Sequence, residues 1–140
     1  YVNARSWLAR HTAQHHSEEN QMQSGWPETV SALSAQLREL RSKTPDVMKA
    51  FAASAQTALK PGALDTKTKE LIALAISIAV RCDDCIAFHA KAAVDQGASE
   101  AEVLETIGMA IYMGAGPSAM YASHAYQAYS EFAAKAAEKS

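Results

Sequence analysis

Cysteine is nearly absent from this chain: there are 2 in 140 residues, and both lie in one short stretch, Cys82-Asp83-Asp84-Cys85. Two cysteines so close together close too small a loop to staple a fold, which argues against the disulfide framework of a small secreted domain and for a reducing compartment. Proline (4) and glycine (6) are also few. Alternation of polar and apolar residues is missing as well, which argues against hairpins and sheets. Neither sign of charge dominates, because 13 Lys and Arg stand against 15 Asp and Glu for a net charge of −2. With no basic surface, neither nucleic acid nor an anionic membrane is expected as a partner. The longest apolar run, Leu71 to Val80, is interrupted only by Ser77 and is too short to span a bilayer. The expectation is a soluble, cytoplasmic protein.

What is present is alanine- and leucine-rich sequence, 49% apolar overall, enough for one core in a chain of single-domain size. Its spacing predicts an all-α fold, a compact helical domain of about six helices. Residues 1–45 read as an N-terminal helical extension packing on a core of residues 46–140.

Within the extension, Asn3 to Gln21 is expected to be helical, with Trp7, Leu8 and His11 on one side. Pro27 suits a first helical position, and Val30, Leu33, Leu37 and Leu40 then recur at helical spacing until Thr44-Pro45. Thr44 and Pro45 open the next helix, in which Met48, Phe51, Ala52 and Ala55 form an apolar stripe before Lys60-Pro61-Gly62 ends it. Asp65 caps a helix from about Thr66 to Val80 that is apolar nearly all round, as expected of a central element packed on several sides. A break at Arg81-Cys82 leads into a helix from about Asp83 to Gln96, with Gly97 as its C′ residue. Ser99 and Glu102 form a capping box for a helix to about Met113. Gly114-Ala115-Gly116-Pro117 breaks the pattern. The last helix runs from Ser118 to Ala137 with Met120, Tyr121, His124 and Phe132 on its apolar side.

The chemistry concentrates in Cys82-Asp83-Asp84-Cys85-Ile86-Ala87-Phe88-His89. Residues four apart on a helix lie on one face, so Cys85 and His89 are within side-chain reach. A histidine beside a thiol accepts its proton or stabilises the thiolate, the form that attacks peroxides and disulfides. Cys85 is thus the candidate nucleophile, and Cys82 the resolving thiol that condenses with a sulfenic acid on Cys85. Glu70 stands just before the long apolar run, where burial would raise its pKa and let it orient or recharge His89. Equally, Glu70 can belong to the polar start of its helix, where a carboxylate merely favours the macrodipole. Asp83 and Asp84 put negative charge beside the thiols, which disfavours a thiolate, while the helix N-terminus acts the other way.

Blander readings accompany these residues. Cys82, Cys85 and His89 also make three zinc ligands, with His124 as a fourth if the fold brings it close. His124 reads better as a satisfied core or interface histidine, since it has no ligand partner at helical spacing. His11 and His15 are four apart but lie in a polar, weakly patterned segment. Met109, Met113 and Met120 read as packing material. Trp7 and Trp26 read as anchors for the N-terminal segment.

Glu70, the Cys82-x-x-Cys85 pair and His89, with Lys69-Glu70-Leu71-Ile72-Ala73-Leu74-Ala75 before them and Ala90-Lys91-Ala92-Ala93 after, resemble the signature of AhpD-like alkylhydroperoxidases of the carboxymuconolactone decarboxylase superfamily. Gly114 to Tyr121 and His124-Ala125 are similar to the small members as well. The resemblance runs from about Ala50 to Phe132. It implies an all-helical fold that assembles into homotrimers or homohexamers and an oxidoreductase of the alkylhydroperoxide reductase, antioxidant kind. It assigns Cys85 as peroxidatic, Cys82 as resolving, and His89 and Glu70 as a proton relay. The substrate would be a hydroperoxide and the electron donor an external dithiol or disulfide reductase, with no metal, haem or flavin cofactor. Two alternatives are a carboxymuconolactone-decarboxylase-type enzyme, whose chemistry does not depend on the cysteine pair, and a non-enzymatic oligomeric redox sensor.

Overall fold

The structure, a computed structural model, describes residues 25–139. The helix expected over Asn3 to Gln21, with Trp7, His11 and His15, lies outside the described residues. Among those described there are five helices and no strand: α1 (Trp26–Lys43), α2 (Pro45–Leu59), α3 (Thr66–Ala79), α4 (Asp83–Asp95) and α5 (Glu100–Ala137). None of them is long and apolar enough to cross a membrane.

Local chemistry sets most of the boundaries. Pro27 and Pro45 sit in the first turns of α1 and α2, where the missing N–H is no loss. Thr44 does not cap α2 with its side chain; its hydroxyl donates back to the Leu40 carbonyl at 3.0 Å and closes α1 instead. The Lys69 ammonium donates to the Ala58 carbonyl at 2.9 Å, satisfying the C-terminal end of α2. Asp65 accepts from the Thr68 N–H at 2.7 Å at the start of α3. Ser99 and Glu102 complete the expected capping box of α5.

Helices α3, α4 and α5 pack on one another, with α1 laid across α4 and α5. Their shared core contains Leu74 and Ile78 from α3, Ile86, Ala90 and Ala93 from α4, and Val103, Ile107, Ala125, Ala128 and Phe132 from α5. Alanine at so many inward positions lets the helices approach closely. Trp26 and Val30 bring α1 against this core. Helix α2 buries no residue, and its stripe is open, with Phe51 67% exposed.

Helix α3 is apolar on two opposite sides, but the single chain covers one. Glu70, Leu74, Ser77 and Ile78 are buried, whereas Ile72, Ile76 and Val80 are exposed, Ile76 by 56%. The expectation of a helix packed on several sides is therefore met along one row only within the chain.

The break expected at Gly114 to Pro117 narrows to one residue. Ala115 has φ 53° and ψ −146°, and the helix resumes through Pro117. A positive φ is costly for a residue with a Cβ. Gly114 next to it leaves room for buried Ser118, because a Cβ at position 114 would fall 1.8 Å from the Ser118 hydroxyl oxygen. The two arms of α5 meet at this bend.

Candidate functional site

Between α3 and α4 the chain turns in three residues, Val80 to Cys82. Arg81 takes φ 61°; its N–H donates to the Ile78 carbonyl at 3.2 Å, and the next N–H, that of Cys82, donates to the Ser77 carbonyl at 3.1 Å. This is the Schellman arrangement, here with arginine in the left-handed position that glycine usually fills. The same motif ends α4, with the predicted Gly97 at φ 75°.

The turn delivers Cys82 directly to the start of α4, where it serves as N-cap. Its sulfur accepts from the Cys85 N–H at 3.2 Å. The two cysteines are joined as a disulfide, with their Cα atoms 5.2 Å apart. Both are partly accessible at the surface.

One turn beyond Cys85, and on the same face of α4, His89 hydrogen-bonds Glu70 of α3 through Nδ1 and Oε2 at 2.7 Å. Glu70 is only 5% exposed. It is the fifth residue of α3, past the first turn, so the reading of Glu70 as part of a solvated helix start gives way to that of a buried carboxylate with one specific partner. An ionised carboxylate only accepts, so the Nδ1 hydrogen of His89 is held by Glu70. In the neutral ring this leaves the lone pair on Nε2. The arrangement can thus pass a proton between a reacting group at Nε2 and a ring whose tautomer is fixed from behind.

A contact that the sequence did not announce lies on the other side of Cys82. His124 of α5 donates through Nδ1 to Oδ1 of Asp83 at 2.7 Å, across 41 positions of sequence. The rings of Tyr121 and Trp26 stand at 5.2 and 6.2 Å from the His124 ring. Trp26 is itself tied to α5, its backbone N–H donating to Glu131 Oε2 at 2.7 Å. His124, expected as a satisfied core or interface histidine, is partnered by an aspartate of the cysteine motif, with its side chain 43% exposed rather than in the core. Among the described residues no three His, Cys, Asp or Glu side chains converge in a way that could hold a metal ion.

A surface groove of about 470 Å³, lined by Pro27, Val30, Val94 and Phe132 with Lys91 and Lys135, sits at the far end of α4. It shares no residue with the cysteine corner.

Residues 45–128 match the carboxymuconolactone decarboxylase family. The chain belongs to that family. A solved carboxymuconolactone decarboxylase family protein from Legionella pneumophila superposes with a TM-score of 0.75 at 46% identity, over 77% of this chain and 96% of that one. A family member from Thermotoga maritima, for which a part in the antioxidative response has been suggested, superposes with a TM-score of 0.69 at 32% identity, over 79% and 92%. An uncharacterised protein of Haemophilus influenzae is 40% identical over 105 residues, 75% of this chain and 93% of its own length. This family includes AhpD-like peroxidases, and the all-α fold expected from the resemblance is the fold observed.

Proposed function

We propose that this family member is a thiol-dependent peroxidase that reduces alkyl hydroperoxides through Cys82 and Cys85, with His89 and Glu70 relaying protons. The observation that carries this reading is the 2.7 Å hydrogen bond between His89 and buried Glu70, one turn beyond a redox-capable Cys-x-x-Cys at a helix start.

In the reduced protein Nε2 of His89 takes the proton of the Cys85 thiol, and the resulting thiolate attacks the terminal peroxide oxygen. The O–O bond breaks, the leaving alkoxide takes a proton from His89 and departs as the alcohol, and Cys85 becomes a sulfenic acid. The Cys82 thiol then attacks the Cys85 sulfur; the S–O bond breaks, the hydroxide takes the Cys82 proton and leaves as water, and the Cys82–Cys85 disulfide forms. An external dithiol returns two electrons and two protons, restoring both thiols and leaving as its own disulfide. Helix α4 favours the thiolate through its N-terminal donors. No metal, haem or flavin enters these steps.

Homotrimers or homohexamers are part of the proposal, supported by the exposed row of Ile72 and Ile76 on α3 and Val80 at its C-cap. So is cytoplasmic residence, where dithiol donors are at hand.

Consumption of cumene hydroperoxide with a generic dithiol tests the reading. Cys85→Ser is expected to abolish turnover, and Cys82→Ser to stop after one event with a sulfenic acid or mixed disulfide on Cys85. Equal turnover in both variants and the wild type would sink it. Turnover of a γ-carboxymuconolactone by the double cysteine variant would favour the decarboxylase chemistry in its place.

A further inference from the structure

We infer that His124 is a positioning residue for the cysteine pair: its Nδ1–H draws the Asp83 carboxylate toward α5, leaving the Cys85 N–H to the sulfur of Cys82. The inference rests on Cys82 and Cys85 cycling between disulfide and dithiol, as proposed above.

Asp83 is the first residue of α4, directly after the N-cap. A carboxylate there is well placed to accept from the free N–H groups of the first turn, and its charge opposes a thiolate on Cys82 beside it or on Cys85 two positions on. Yet the Cys85 N–H goes to the Cys82 sulfur at 3.2 Å, and the Asp83 oxygen goes to His124 at 2.7 Å. The donor of α5 holds the acid away from the donor the sulfur uses.

The holder is itself held. Tyr121 lies one helical turn before His124, with its ring 5.2 Å away, and the Trp26 ring, from the first turn of α1, stands 6.2 Å away. Helices α5 and α1 therefore flank the partner toward which Asp83 points, with the His124 and Asp83 side chains 43% and 49% exposed. Other charged groups on the elements that meet here, among the described residues, include Arg81 in the turn, Asp84 on α4, and the Glu70–His89 pair from α3 and α4. Of the two acids between the cysteines, Asp83 is the one with a cation-forming partner among these elements.

This answers the tension in the motif. Two aspartates between the cysteines weigh against a thiolate, and His124 offsets the one that adjoins Cys82 by supplying a hydrogen-bond donor in either of its protonation states. Its contribution is to the charge distribution at sulfur rather than to contact with a substrate.

The test is an ultraviolet titration of thiolate absorbance on fully reduced protein, with no peroxide present. His124→Phe keeps a ring between Tyr121 and Trp26 but removes the donor; it is expected to lower the thiolate fraction at neutral pH roughly two- to five-fold. His124→Asn, which keeps a donor near the Nδ1 position, should retain most of the wild-type fraction. In an Asp83→Asn background, His124→Phe should have no further effect. An unchanged titration in His124→Phe overturns the inference, and so does an equal loss in the Asp83→Asn background. Peroxide turnover is followed in parallel: if it is absent from the wild type while the titration pattern is as expected, the peroxidase reading fails and the positioning role stands.

Discussion

Glu70 and His89, 19 positions apart on different helices, meet at 2.7 Å with the carboxylate buried and the imidazole reaching the surface. Burial of Glu70 makes its partner specific, because a carboxylate shut away from water must find a donor. His89→Asn, which loses the basic nitrogen, is expected to cut hydroperoxide turnover by about 10²–10⁴, the usual range for a general acid or base. Glu70→Gln should lower turnover less and should not unfold the chain. Steady-state rates with circular dichroism on both variants check this; full activity in His89→Asn would remove the relay.

The two rows of α3 answer differently to truncation. Leu74, fully buried, is expected to cost about 2–5 kcal/mol on change to Ala, by the large-to-small rule for cores. Ile76 is exposed in the single chain, so Ile76→Ala should change monomer stability by about 0.5 kcal/mol or less. Urea titrations compare them. If the outer row is an assembly surface, as proposed, Ile76→Lys will lower the oligomeric mass seen by light scattering while leaving peroxide turnover per chain within a few-fold.

Backbone strain at the bend of α5 gives a third expectation. Ala115 has φ 53°, and Ala115→Gly should raise stability by about 1 kcal/mol, the lower part of the range for a strained residue. Gly114→Ala should act in the opposite sense, since its Cβ would meet Ser118 at 1.8 Å. Thermal midpoints of the pair, measured together, read the sign of each.

Acid sensitivity should come partly from the junction of α3 and α5. The Lys67 ammonium donates to Glu102 at 2.6 Å. This bond, with the Ser99 N–H, holds the Glu102 carboxyl below its ordinary value of 4.5. Asp65 is lowered too, by its bond from the Thr68 N–H. A depressed carboxyl stabilises the fold above its unfolded pKa and loses that contribution as pH falls through the folded one. Lys67 is raised by the same bond, so its contribution is complete below its ordinary value and fades only in strong alkali. Glu102→Gln should flatten the decline in urea midpoint below about pH 4.5, the acid limb expected from linkage, with little change at neutrality.

Much of this architecture could be read from the residues because its signals are local. Asp65, Ser99 with Glu102, and Gly97 mark helix ends through bonds spanning only a few positions, and all act as expected. Thr44 does stand as the N-cap residue of α2, but without a side-chain cap bond, since a threonine at a junction can bond backward as readily as forward, and here its hydroxyl joins Leu40. Glu70 was ambiguous for another reason: its burial depends on which row of α3 meets α4, and periodicity finds apolar rows without saying what covers them. The Asp83–His124 contact had no local trace at all. Its partners lie 41 positions apart, and packing of α5 beside the start of α4 is what joins them.

Cys82 has both backbone groups engaged. Its N–H is bound by the Ser77 carbonyl behind it at 3.1 Å, and its own carbonyl accepts from Ile86 ahead at 2.9 Å. A residue moored to two helices at once cannot swing out on a loop to meet a reductant. Exchange of electrons at this corner then falls to side-chain rotation of the sulfurs alone, and an incoming dithiol must fit the surface as it stands. Reach and shape on the donor's side, rather than pliancy on this one, would decide which reductants serve.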